Sequence, residues 1–177
     1  MQKYKRVAIL ILMSLPMGLI SKISDGGSFV YMSPGVSMVY TFNQGLTMGA
    51  QASIGLVKLA PSGDGFVVLG NPTFPIPAVT FGFKRSTLQK IKFIDLQLFT
   101  GIVGVGLGRA KITNRADGIA SPYNHLKIWG GPLLLAQYDH YFVKYPFESE
   151  STISSLGGSL VLPLPLIQVS KHKPDTP

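Results

Sequence analysis

Apolar and polar residues alternate along much of this chain with a period of two residues. The clearest case is segment 46–56, in which every even position is Leu, Met, Ala or Ile and every odd position is Thr, Gly, Gln or Ser. Such alternation is typical of a β-strand with one apolar face. Segment 36–42 alternates in the same way, and Asn43-Gln44-Gly45 forms a short connection between the two. The two segments are therefore predicted to form a β-hairpin.

Recurrence of this pattern predicts eight strands and no helix longer than a single turn. The strands are 28–42, 46–59, 65–70, 76–85, 92–100, 102–112, 124–143 and 153–169. The count becomes ten if Gly130-Gly131-Pro132 turns the chain. By the count of eight, the longest connections, 113–123 and 144–152, lie at opposite ends of the strands. Bacterial membrane barrels instead place their long loops on one side.

The second face of each strand distinguishes a soluble sandwich from a membrane barrel. In a soluble sandwich, the face turned away from the core is charged or strongly polar because it meets water. Here that face carries Gly, Ser, Thr and Gln, with occasional Asp or Lys. Small and polar residues suit the interior of a narrow barrel whose apolar outer surface contacts lipid. The predicted fold is therefore all-β, a closed antiparallel up-and-down membrane β-barrel of about eight strands.

This orientation assigns individual side chains to three groups. The lipid-facing candidates are Leu46, Met48, Ile54, Leu56, Phe81, Phe83, Leu96, Leu98, Leu160 and Leu162. The lumen-facing polar candidates are Gln51, Lys84, Asp95, Gln97 and Arg109, among which Asp95 is expected to pair with Lys84 or Arg109. Aromatic residues near strand ends are the candidates for the membrane interface. They are Tyr40, Phe42, Trp129, Tyr138 and Phe142.

The N-terminus has the pattern of a secretory signal. Basic residues at positions 3, 5 and 6 precede the apolar run Val7 to Ile20, which is too short to cross a bilayer as a helix. We therefore predict a cleaved signal peptide at 1–24, a barrel domain at 25–170 and a polar C-terminal tail at 171–177. Export by this route places the mature chain in the bacterial outer membrane if the strands form a membrane barrel.

Composition narrows the functional classes. The formal charge of +8 includes Lys3, Lys5, Arg6 and Lys22 of the predicted signal, and their removal leaves 12 basic against 8 acidic residues. The remaining basic residues are scattered, apart from a modest cluster at positions 84, 85, 90 and 92 that is typical of a solvated loop. Nucleic-acid binding is therefore not expected. The absence of cysteine excludes disulfides, thiolate metal sites and cysteine nucleophiles.

The signal and the strand texture, exemplified by VSMVYTFNQGLTMGAQASIGL, resemble those of small outer-membrane β-barrel proteins of Gram-negative bacteria. The resemblance covers most of residues 28 to 169. It implies a monomer inserted in outer-membrane lipid by the barrel-assembly machinery, with a structural, adhesion or binding role, or a porin-like role for small solutes. The chain departs from such barrels at its end, which reads KHKPDTP where they commonly finish on an aromatic residue.

No motif indicates an enzyme, a cofactor or a metal. Asp139 and His140 are adjacent in a predicted strand, so their side chains point to opposite faces and cannot pair readily. Small-barrel lipid A deacylases use a His, a Ser and a carboxylate on the lipid face, but the same-face neighbours of His140 are Tyr138 and Phe142. His125 likewise has no serine two residues away. The glycines at 104, 106 and 108 lack the spacing of a phosphate-binding loop and instead permit close packing inside a curved wall.

Two alternatives remain at the level of sequence. One is a soluble secreted barrel that binds an apolar ligand in the manner of lipocalins, with Leu and Phe facing inward. The other is an outer-membrane enzyme that modifies lipid.

Overall fold

The computed structural model describes residues 26–42, 44–60, 71–131, 134–143 and 152–171, and these ranges contain strands and connections only. The strands are β1 (Gly27–Thr41), β2 (Gly45–Ala60), β3 (Asn71–Thr73), β4 (Ile76–Arg85), β5 (Gln89–Phe99), β6 (Val103–Asn114), β7 (Ala120–Gly130), β8 (Leu134–Val143), β9 (Ile153–Val161) and β10 (Leu164–Lys171). Within these ranges, no helix is long and apolar enough to cross a membrane.

The strands form one sheet in the order β10-β1-β9-β8-β7-β6-β5-β4-β2-β3, and an additional pairing of β1 with β2 closes it. The closed part is an antiparallel barrel of eight strands, β1, β2 and β4 to β9. The short β3 pairs with β2, and β10 pairs with β1, as two extra strands. The predicted fold class, a closed antiparallel barrel of about eight strands, is confirmed.

The chain divides into two compact units. Unit 1 comprises Met1–Tyr31, Leu56–Thr73 and Pro165–Pro177, and unit 2 comprises Met32–Gly55 and Phe74–Leu164. In the described part of unit 1, Thr73 Oγ1 donates a hydrogen bond to the carbonyl oxygen of Lys58, and Gln168 Nε2 donates one to that of Gly26. Unit 2 contains segments of all eight barrel strands, and the side-chain clusters discussed below belong to it.

Several strand boundaries differ from those predicted. Segment 124–143 is two strands, β7 and β8, because the chain turns near Gly131, whose φ of 119° suits glycine. This turn reverses the direction of all that follows, so the prediction that the two longest connections lie at opposite ends is wrong. β6 ends, β7 begins, β8 ends and β9 begins at the same end as the β1–β2 hairpin. We call it the upper end. Predicted strand 65–70 lies outside the described residues.

Alternation of burial follows the alternation of the sequence. All ten lipid-facing candidates are exposed, at 40% or more of their full surface. The opposite face is buried, and near the upper end it forms an apolar layer inside the barrel of Ile91, Phe93, Ala110, Ile112, Tyr141 and Ile153. The predicted signal peptide, residues 1–24, and residues 172–177 of the predicted tail lie outside the described residues, so both assignments stay predictions.

Candidate functional site

A network of buried polar side chains lies inside the barrel in contact with the apolar layer. Its centre is Asp139 on β8, which is fully buried. Asp139 Oδ2 accepts hydrogen bonds from Lys84 Nζ at 2.7 Å and from Gln137 Nε2 at 2.6 Å. Its other oxygen, Oδ1, lies 3.0 Å from His125 Nε2. One carboxylate therefore serves three donors on strands β4, β7 and β8, as a buried charge requires.

His125 lies between two carboxylates. Its Nδ1 is 2.8 Å from Asp95 Oδ1, and its Nε2 faces Asp139. A carboxylate only accepts hydrogen bonds, so the ring satisfies both partners only when both nitrogens carry protons. The ring stacks on Tyr141 with centroids 4.5 Å apart and meets the edge of Phe93. These contacts hold the imidazole in one orientation. No three or more of the described His and Asp residues, these three included, are arranged so that they could hold a metal ion.

A second lysine is held separately. Lys127 Nζ donates a hydrogen bond of 2.6 Å to Gln51 Oε1 and lies 5.5 Å from the centre of the Trp129 ring and 5.9 Å from that of Phe93. The aromatic faces partly replace the hydration that the ammonium group loses on burial.

Two of these contacts cross the full width of the lumen. The pair Lys84–Asp139 joins β4 to β8, and the pair Lys127–Gln51 joins β7 to β2. In the eight-stranded ring, three strands separate the members of each pair in either direction, so the contacts run along diameters. Barrels of this size have an interior that side chains just fill. These two contacts therefore place described side chains across the lumen.

The structure places the predicted lumen residues as follows. Gln51, Lys84 and Asp95 are buried inside the barrel, and Gln97 is half-buried on the same face. Arg109 is exposed on the outer face, so its assignment to the lumen is wrong. Arg109 lies at an odd position of β6, as the exposed Val105 and Leu107 do, whereas the even positions 104, 106 and 108 point inward and are glycines. The expected partners of Asp95 are also wrong, because it pairs with His125 and Lys84 pairs with Asp139.

The aromatic residues divide into two groups. Tyr40, Phe42 and Phe142 are exposed near the upper end, and Tyr138 is half-buried on the outer face. Trp129 is only 7% exposed and points inward, so its assignment to the membrane interface is wrong. It shares the inward parity of β7 with Lys127, and its ring lies over Gly104, where a Cβ would overlap it. A glycine opposite a large residue on the neighbouring strand, as Gly104 is opposite Trp129, is the sequence feature that indicates an inward ring here.

A second polar cluster lies on the outer face near the upper end. His140 on β8 is paired in register with Ser154 on β9, and His140 Nδ1 lies 2.8 Å from Ser154 Oγ. The hydroxyl of Tyr138 lies 3.2 Å from Ser154 Oγ and 3.4 Å from His140 Nδ1. The serine that was absent from the same strand is thus supplied by the adjacent one. No described carboxylate forms a hydrogen bond or ion pair with His140.

Comparisons with known proteins identify no family for this chain. No protein-family model matches the chain. No curated protein matches it either. Among solved structures, the chain is similar to Ail, the attachment invasion locus protein of Yersinia pestis, with 11% identity over 78% of this chain and 99% of that one, at a TM-score of 0.23. A likeness at that level transfers no property to this chain.

Proposed function

We propose that this chain is a bacterial outer-membrane β-barrel protein with a structural, adhesion or binding role, acting through its surface rather than through a pore or a catalytic centre. The observation that carries the proposal is the apolar outer face of the barrel. On neighbouring strands, Val79, Leu96 and Leu107 lie side by side and are 38%, 71% and 59% exposed. Soluble proteins rarely expose apolar patches larger than a few hundred Å².

The apolar face continues around the barrel. Each barrel strand contributes at least one exposed apolar side chain, among them Met38, Ile54, Val79, Leu96, Leu107, Ile128, Phe142 and Leu156. A bilayer provides the surroundings that such a closed apolar surface requires. Because every barrel strand is paired on both sides, the described ring has no edge that exposes backbone groups to lipid.

The interior supports the same proposal. A soluble lipocalin-like carrier needs an apolar cavity, whereas this interior contains the hydrogen-bonded side chains of Lys84, Asp139, His125 and Asp95. It also contains the buried Lys127, which is bonded to Gln51. Two of these contacts also join opposite strands across the lumen, where a solute in a pore would have to pass. Other molecules would therefore bind to the outer face or to the connections between strands.

Leu96→Arg tests the membrane assignment. Leu96 lies within the apolar outer face, between Val79 and Leu107 of the neighbouring strands, and a cation near the middle of a bilayer costs about 2–4 kcal/mol in a membrane barrel. We expect a loss of that size in the free energy of unfolding in phospholipid vesicles. Heat-dependent migration on gels is the measurement of unfolding. Ile102→Arg, in the exposed connection between β5 and β6, is the matched control, with an expected loss of about 0–1 kcal/mol. Equal losses for the two variants, or release of the wild-type protein by osmotic shock without detergent, would contradict the proposal.

A second candidate, a lipid acyl hydrolase, is favoured by the contact of His140 with Ser154. In that reaction His140 removes the proton from Ser154 Oγ, and the oxygen attacks an ester carbonyl of lipid. The original ester C–O bond then breaks, and the lipid alcohol leaves with the proton held by His140. Water, deprotonated by His140, finally hydrolyses the serine ester and releases the fatty acid. The pair lies on the outer face, where acyl chains would be accessible. The contact provides a nucleophile and a base, but no described group forms a hydrogen bond with Nε2, the other ring nitrogen of His140.

This candidate predicts release of fatty acid from ester-linked lipid by the wild-type barrel in mixed micelles. Ser154→Ala would then reduce the rate by at least about 100-fold, because the nucleophile is lost. Thr152→Ala is the matched control, since it removes an exposed hydroxyl two residues earlier and should leave the rate unchanged. Mass spectrometry of the lipid products measures both. A wild-type protein that releases no fatty acid, or one that Ser154→Ala does not slow, rules out the enzyme.

A further inference from the structure

Basic side chains are concentrated on one part of the outer face. Of the ten described Lys and Arg residues, six lie on the outward side of β4, β5 and β6 or in the connection that follows β6. They are Arg85, Lys90, Lys92, Arg109, Lys111 and Arg115. Of the three described carboxylates, Asp95 and Asp139 are inside the barrel and only Asp117 is outside. Among the described residues, the charge of this face is therefore strongly positive.

Cross-strand register places like charges opposite one another. Arg85 pairs with Lys90, and Lys92 pairs with Lys111. Directly opposite residues have Cβ atoms about 5 Å apart, and like charges at that position destabilise a sheet. No described carboxylate forms an ion pair with any of these four side chains. A bound anion would remove the repulsion that the strand pairing creates.

The cations border an open groove of about 870 Å³ at the upper end. Its walls include Arg85, Lys90, Lys92 and Arg115 together with the exposed rings of Phe81 and Phe83. We call these six residues the basic groove. Arg115 Nη1 already donates to the carbonyl oxygens of residues 86 and 87, which fixes the guanidinium beside the β4–β5 turn. The one exposed carboxylate among the described residues, Asp117, accepts hydrogen bonds within its own turn from Asn114 Nδ2 and the amide of Ile119.

The groove spans the boundary between polar and apolar surface. Lys92 lies three residues from the upper end of β5, which corresponds to about 10 Å along the strand. The next outward residues on these strands, Ile94 and Phe81, begin the apolar face. Phe83 pairs with Lys92 and so lies at the level of the cations, whereas Phe81 lies one outward position further from the upper end. A molecule bound here would therefore meet cations and aromatic rings side by side, with the apolar face continuing from Phe81.

We propose that the basic groove binds the phosphate-bearing headgroup of an anionic membrane lipid, with the acyl chains lying over Phe81 and Phe83. This inference rests on the proposed membrane location. Charge complementarity identifies the headgroup as an anion, and the exposed phenylalanines identify the anion as part of a lipid. Four cations around one groove match the several oxygens of a phosphate group.

Native mass spectrometry of the full chain in detergent, offered equal amounts of phosphatidic acid and phosphatidylcholine, tests the proposal. We expect the wild-type protein to retain phosphatidic acid preferentially. The double variant Lys90→Gln/Lys92→Gln should reduce its apparent affinity roughly 30-fold, since each cation near the surface contributes about fivefold. Lys58→Gln/Arg109→Gln removes the same charge at two exposed positions outside the basic groove and should retain the wild-type preference.

The outcomes separate this inference from the proposed function. Equal losses for the two double variants, or no preference in the wild-type protein, would overturn lipid binding by the groove even if the protein still requires detergent for extraction. Release without detergent would instead overturn the membrane location itself. Displacement of phosphatidic acid by a soluble polyanion, heparin, at equal charge concentration would also overturn the proposal, because it would show a site for polyanions in general. Resistance to heparin supports it.

Discussion

Asp139→Asn is expected to lower the free energy of unfolding of the barrel by about 3–5 kcal/mol, which is the usual cost of removing one partner from a buried ion pair. Asparagine preserves the shape of the side chain, but its amide group replaces one of the two accepting oxygens with a donor. Lys84, His125 and Gln137 would then share a single uncharged acceptor. Guanidinium unfolding in detergent, followed by heat-dependent migration on gels, measures the loss.

A double-mutant cycle tests the cause. Adding Lys84→Met removes the lysine that Asp139→Asn leaves without a counter-charge, so the double variant should lose less than the sum of the two single losses, by about 0.5–3 kcal/mol. Asp117→Asn is the control for a carboxylate outside the barrel, and its effect should stay within about 0.5 kcal/mol. Additive losses at Lys84 and Asp139 would mean that their contact across the lumen contributes nothing.

The fold was predictable because alternation is a local property of the sequence. In segment 46–56, each residue is assigned to a face by its parity alone, and the exposed fractions of Leu46, Met48, Ile54 and Leu56 follow that assignment. The two wrong assignments, of Arg109 to the lumen and of Trp129 to the membrane interface, disagree with the alternation of their own strands. Arg109 follows Val105 and Leu107 on the outward side, and Trp129 follows Lys127 on the inward side.

The side-chain clusters were not predictable to the same degree. Contacts such as those of Lys84 with Asp139 and of His140 with Ser154 depend on which strands face or neighbour each other. The turn at Gly131 determines that pairing, and the strand pattern alone permitted both a turn and a continuous strand there. Parity could have shown that Asp95, His125 and Asp139 all point inward. It could not show that the histidine lies between the two carboxylates.

Gly108→Ala is the second variant with a large expected effect, because Gly108 lies in the sheet between Asp95 and His125. It pairs with Asp95 on one side and with His125 on the other, so the hydrogen bond between those two side chains passes over it. A Cβ at Gly108 would overlap the carbonyl oxygen of Ile94 and lie 2.5 Å from Asp95 Oδ1. Both the backbone of β5 and the ion pair obstruct a methyl group.

We expect Gly108→Ala to cost about 3–5 kcal/mol, from overpacking of about 1–3 kcal/mol together with loss of a charge-assisted hydrogen bond of about 1.5–3 kcal/mol. Gly106→Ala is the closest control, since Gly106 lies two residues away on the same inward face. There the nearest atom to a new Cβ is Gln97 Cγ at 3.1 Å, on a side chain that can move. Its loss should therefore stay below about 1 kcal/mol in the same unfolding measurement. Similar losses at the two positions would mean that glycine serves the curvature of β6 in general, whereas a large loss confined to Gly108 would assign that glycine to the bond between Asp95 and His125.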